Sequence, residues 1–243
     1  MSRSLEYASG GYFLTKRFRR REWMSAELVP ENVVSLSPCV TEVIPDSWYL
    51  NQAPNQTNLD IAAKMGVPLH RLAELYPWMK RHPPEPADMW PYAFSTLDRA
   101  REFAREFLQG AADVLLLGTS LHKEFFEAFL SEAGPVHGYS RFGKDATYVY
   151  VSERTEVLKL GLPPADGGNI LGFEVFGDAV MERHTLLCTG GEKDVRAELG
   201  IRLNQNGLFE TLADARRVAQ WASVEGHAEP FLYLPWRLEQ YQW

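Results

Sequence analysis

Two short blocks of this sequence occur twice in the same order, and that constrains the fold more than any other feature of the chain. Asp60-Ile61-Ala62-Ala63-Lys64-Met65-Gly66-Val67 parallels Asp194-Val195-Arg196-Ala197-Glu198-Leu199-Gly200-Ile201, and Thr96-Leu97-Asp98-Arg99-Ala100-Arg101 parallels Thr211-Leu212-Ala213-Asp214-Ala215-Arg216. Amphipathic helices ending in glycine are common, so either pair alone carries little. The weight lies in the shared order: helix ending in glycine, connector, capped helix, apolar strand. Two units are too few to stack as a solenoid. The expected fold is α+β, with two weakly similar α+β halves side by side, mixed or antiparallel sheets, and room for one sheet shared between them.

Local signals divide the chain accordingly. The Pro- and Gly-rich stretch 162–169 is the best boundary, giving an N-terminal half over 1–161 and a C-terminal half over 162–243. The first half is longer because 82–91 holds four prolines and reads as a loop. β-branched or apolar runs predict strands at 12–15, 33–36, 39–44, 47–50, 114–117, 148–151, 170–176, 185–188 and 231–234. Helical spacing predicts helices over 59–65, 69–79, 123–132, 192–199 and 212–223. Another opens at Ser95, with Asp98 three residues on as in a capping box, and runs to about Gly110.

The chemistry-bearing motifs fail one by one. Gly118-Thr119-Ser120-Leu121-His122 sits where a nucleophile elbow would, but the second glycine of that motif is replaced by His122. Thr189-Gly190-Gly191-Glu192 precedes a helix, yet Glu192 and Asp194 place negative charge where a phosphate would bind, and they suit the helix dipole instead. If 185–188 is a strand, His184 and Cys188 stand about 13 Å apart along it, too far for one metal ion. The other histidines show no ligand spacing, so no metal, cofactor or catalytic residue is expected.

Composition narrows the partners. The net charge is −7, but Lys16, Arg17, Arg19, Arg20 and Arg21 form one cluster, and the remaining 20 Lys and Arg face 32 Asp and Glu. A body carrying −12 repels phosphate backbones and favours basic partners. The basic run, with Phe18 and Trp23 beside it, reads as a charged edge strand rather than a nucleic-acid groove. Nothing approaches the length of an apolar membrane span. Only Cys39 and Cys188 are present, which suits a reducing, cytoplasmic setting. Aromatic residues gather at Trp90 and Tyr92 and again at Trp236, Tyr241 and Trp243; these five are the candidate binding residues.

The C-terminal third resembles bacterial immunity-type proteins of polymorphic toxin systems. The resemblance rests on about seventy residues: Leu171-Gly172-Phe173-Glu174-Val175-Phe176-Gly177, His184-Thr185-Leu186-Leu187-Cys188, Leu199-Gly200-Ile201-Arg202-Leu203-Asn204-Gln205-Asn206-Gly207-Leu208, and Glu229-Pro230-Phe231-Leu232-Tyr233-Leu234-Pro235-Trp236. It carries no catalytic residues. It implies a cytoplasmic protein that binds and neutralises a protein toxin, and an acidic body would steer a basic toxin towards it. Two rival expectations stand beside it: a small-molecule enzyme with its site between the lobes, and a scaffold subunit of a bacterial assembly.

Overall fold

The computed structural model describes residues 6–44, 56–82, 93–132, 136–139, 147–150, 157–179, 182–229 and 231–243. The expected strand 47–50, the Pro-rich loop from 83 on, Trp90 and Tyr92 lie outside them. In chain order, the first half contributes β1 (Tyr7–Lys16), β2 (Phe18–Arg19), β3 (Asn32–Val33), β4 (Val43–Ile44), α1 (Gln56–Met65), α2 (Leu72–Arg81), α3 (Leu97–Phe107), β5 (Val114–His122), α4 (Phe126–Glu132), β6 (Val136–Tyr139) and β7 (Thr147–Tyr150). The second half contributes β8 (Asn169–Ala179), β9 (Glu182–Thr185), α5 (Glu192–Leu199), α6 (Leu212–Ala222) and β10 (Leu232–Tyr241). The fold is α+β, and the named strands pair antiparallel throughout the described residues.

The halves share one six-stranded sheet, in the order β4-β1-β5-β10-β8-β9. That order is palindromic: β4, β1 and β5 of the first half answer to β9, β8 and β10 of the second. The register locates the symmetry. Gly11 pairs with Thr119, Thr119 with Leu238, and Leu238 with Gly172, so one row crosses the four central strands with a positive-φ glycine at each end. A local two-fold axis therefore passes through the Thr119–Leu238 pair. Both glycines follow a β-bulge, where one strand carries an extra residue: Gly10 in β1 and Leu171 in β8. Directly after them, Tyr12 exchanges two backbone hydrogen bonds with Phe94, and Phe173 does the same with Phe209, all at 2.8–2.9 Å.

Two residues beyond those bridges each capped helix begins. Thr96 and Thr211 are both extended, and their hydroxyls accept from the amides of Arg99 and Asp214. The cap is thus Thr96 and not Ser95. The eleven-residue helices that follow bury equivalent faces. Leu97, Ala100, Phe103, Ala104 and Phe107 line α3, and Leu212, Ala215, Val218, Ala219 and Ala222 stand at the same steps of α6, with Leu212 partly buried. This i, i+3, i+7 spacing forms a stripe about one third of the helix circumference. α3 packs on β1 and β5, and α6 on β8 and β10. Because Tyr241 pairs with Leu116 beneath α3, and Tyr233 shares its side of β10 beneath α6, both helical layers cover the same face. The opposite face packs Phe13, Leu117, Leu121, Phe176, Trp236 and Leu238 against Phe129 of α4 and the excursion residues Val34 and Leu36.

The symmetry fails in the chain between β1 and β4. Residues 17–42 leave the first lobe, form the β2–β3 ribbon, and pack Phe18, Met24, Val29, Val33 and Val40 against Leu187 of the second lobe. The strands expected at 33–36 and 39–44 shrink to Asn32–Val33 and Val43–Ile44. The chain between them instead spends its polar groups on contacts with Glu174: Ser35 Oγ donates to Oε1 at 2.5 Å and the Leu36 amide to Oε2 at 3.1 Å.

Candidate functional site

Among the described residues, two groups of chemically capable side chains lie where the lobes meet. The first is at the junction between the lobes, on the helical face near the two-fold axis. Arg237 lies there with its guanidinium over the Tyr7 ring, 3.9 Å from the centroid. Its Nε donates to Ser120 Oγ at 3.1 Å, and its Nη2 is 3.0 Å from Glu239 Oε1. The other oxygen of Glu239 lies 3.2 Å from the Tyr241 hydroxyl, which also reaches the Ala165 carbonyl at 2.9 Å. Tyr12 closes the ring by accepting from the Ala165 amide at 3.0 Å. Burial pushes the Glu239 carboxyl above its ordinary range, with Arg237 pulling the other way, and burial likewise raises Tyr241 and Tyr12. The inter-lobe connector lies across this network, with the Ser9 amide bonded to the Leu162 carbonyl at 2.8 Å. Only 8% of the Glu239 side chain is exposed. Each oxygen of the Glu239 carboxylate has a partner among the described residues.

Beside it, a polar cavity of about 580 Å³ is lined by Arg17, Asn169, Asn204, Asn206, Glu210 and Gln240, among others. Two of its amides are committed to the bulge. Asn204 and Asn206 both donate to the Leu171 carbonyl, and Arg17 donates to Asn206 Oδ1 at 3.0 Å.

The second place is where the N-terminal excursion meets the second lobe. Cys39, His184 and Cys188 converge there, each offering one ligand atom within 4.8 Å of the other two. This corrects the separation expected from the sequence. β9 stops at Thr185, and a 3₁₀ turn over Leu186–Cys188 folds the chain back, so the extended distance of about 13 Å never arises. Cys39 Sγ lies 3.5 Å from His184 Nδ1, and Glu229 Oε2 lies 3.4 Å from the same nitrogen. The imidazole is stacked on Phe231 with ring centroids 4.9 Å apart, which fixes its plane. Cys188 Sγ is 3.4 Å from Ser37 Oγ, and burial pushes its thiol up to about 12. It is therefore a protonated thiol at neutral pH and a poor nucleophile by itself. Both cysteines are free. The excursion is held in place by Trp23 Nε1 on the Leu187 carbonyl, Arg21 on the Val40 carbonyl, and the Ser25 amide on Glu192.

The five aromatic residues picked from sequence fare differently. Trp236 has no exposed surface and stands edge-on to Phe129, and Tyr241 is buried in the junction, so both serve packing and not contact with a partner. Trp243 is partly buried against the first-lobe core. Trp90 and Tyr92 fall outside the described residues. The Cys39–His184–Cys188 cluster was missed because a strand reading of 185–188 separated its members; the Gly190-Gly191 pair just beyond is the signal for the turn. The basic run also resolves into contacts within the chain. Lys16 pairs with Asp113, Arg19 with Glu31, Arg17 with Asn206, Arg20 with the Val29 carbonyl and Arg21 with the Val40 carbonyl. No helix among the described residues is long and apolar enough to cross a membrane.

No protein-family model, curated protein or solved structure matches this chain.

Proposed function

We propose that this chain is a binding protein of the immunity type, which recognises and blocks another protein rather than turning over a substrate. The observation that carries this reading is the internal pairing of the polar groups at the lobe junction, among the described residues. An enzyme working between the lobes needs an open cleft with groups free to engage a ligand. Here the Glu239 carboxylate is held by Arg237 and Tyr241 beneath the connector. The net charge of −7 favours long-range steering towards a basic partner. Such steering predicts an association rate that falls with added salt.

The test is purification of the chain from its native host under gentle conditions. The expected result is one stoichiometric protein partner whose toxicity, when expressed alone, is suppressed by co-expression of this chain. Recovery of a bound metabolite with no protein partner would count against the reading, as would a partner whose toxicity the chain leaves unchanged.

A further inference from the structure

Two of the three cluster residues come from the second lobe and one from the excursion of the first, and the chain has no other cysteine to spare. We propose that Cys39, His184, Cys188 and Glu229 form a binding site for a zinc-class divalent ion, and that the ion pins residues 17–42 to the second lobe.

The geometry around one atom supports this. In a tetrahedral zinc site, metal–sulfur and metal–nitrogen bonds of about 2.3 and 2.0 Å set ligand atoms roughly 3.3–3.8 Å apart. Cys39 Sγ at 3.5 Å and Glu229 Oε2 at 3.4 Å both stand at that separation from His184 Nδ1. A neutral imidazole nitrogen has either one proton or one lone pair, so it can satisfy one of these neighbours as a hydrogen-bond partner but not both fully. A metal ion at the centre satisfies all of them. Cys188 Sγ lies within 4.8 Å of the ligand atoms of Cys39 and His184, and Glu229 joins the group through its contact with His184 Nδ1. Two sulfurs and an imidazole select zinc over magnesium or calcium, which take oxygen ligands.

The surroundings resemble those of a held site. Phe231 fixes the His184 ring, and Ser37 Oγ sits against Cys188 Sγ as an outer partner. The excursion also reaches the second lobe through apolar contacts and through hydrogen bonds of Arg17, Trp23, Ser25, Val34, Ser35 and Leu36. A metal link between residue 39 and residues 184 and 188 joins segments that are about 150 residues apart in the chain, where a cross-link restricts the unfolded ensemble most.

The experiment uses the full-length, untagged chain, stripped with a chelator under reductant and titrated first with Co²⁺ and then with Zn²⁺. The expected result is one Co²⁺ per chain with the intense visible bands of a tetrahedral thiolate site, displaced by one equivalent of Zn²⁺, and a higher unfolding temperature with zinc. Cys39→Ser should abolish the thiolate bands and the thermal shift; because Cys39 is exposed, this variant keeps its fold. Glu229→Gln should weaken zinc at least about tenfold. Absence of the bands in the wild type under reductant, or equal zinc binding by Cys39→Ser, would each overturn the proposal.

Discussion

Glu239 and Arg237 occupy positions where the two lobes cease to be equivalent. The local two-fold axis relates Arg237 to Gly118 and Glu239 to Ser120, so one lobe supplies a complete ion pair and the other a glycine and a hydroxyl. Gly118 stays small because a β-carbon there would come within 2.8 Å of the Tyr241 ring. Burial raises the Glu239 carboxyl above its ordinary 4.5, so the folded chain keeps that proton over a range in which the unfolded chain has lost it. This contribution to stability is complete below about 4.5 and is lost as pH rises through the folded value. Unfolding free energy measured in urea should therefore decline with rising pH just above 4.5, and Glu239→Gln should remove that part of the slope. An unchanged slope in the variant would show that Glu239 is not the group responsible. Arg237→Met should cost about 3–5 kcal/mol, because it leaves a buried carboxylate without its cation, and the Arg237→Met/Glu239→Gln pair should recover much of the loss.

At the scale of elements, equivalent positions should respond equally. Thr96→Ala and Thr211→Ala each remove one side-chain cap and should lower stability by about 1 kcal/mol, while Ser95→Ala should stay within about 0.5 kcal/mol. Urea midpoints of the three variants separate a Thr96 cap from a Ser95 cap. Gly11→Ala and Gly172→Ala should each cost roughly 1–3 kcal/mol. Both glycines have φ near or above +100°, and a β-carbon would come within 2.6 Å of Ala93 Cβ in the first case and 2.8 Å of the Phe209 carbonyl in the second. A large effect at only one of the two would argue against equivalent bulges.

These elements also show what the sequence made legible. The helix repeat was readable because a 3.6-residue apolar stripe and a Thr cap are local properties. The bulges were not, since Gly10-Gly11 and Leu171-Gly172 acquire meaning only through their partners across the sheet. β10 shows the same limit. Its outer end reads as a strand at 231–234, but Trp236, Arg237, Leu238, Glu239 and Tyr241 alternate between an apolar layer and a polar junction, a pattern that only long-range pairing explains. The thiol–imidazole cluster was hidden for a related reason: Cys39 meets His184 across 145 residues of chain.

In the molecule as a whole, one six-stranded sheet is shared by the two lobes. β5 and β10 pair through six residues at its centre, from Leu121 with Trp236 to Leu116 with Tyr241, so neither lobe can open its sheet without breaking the other's. Native-state hydrogen exchange tests this directly. The hydrogen-bonded amides of β1, β5, β8 and β10 should exchange with one common free energy, equal to that of global unfolding measured independently. If the amides of β8 and β10 opened at a distinctly lower free energy than those of β1 and β5, the halves would be separate units and the shared sheet would not be the basis of this fold.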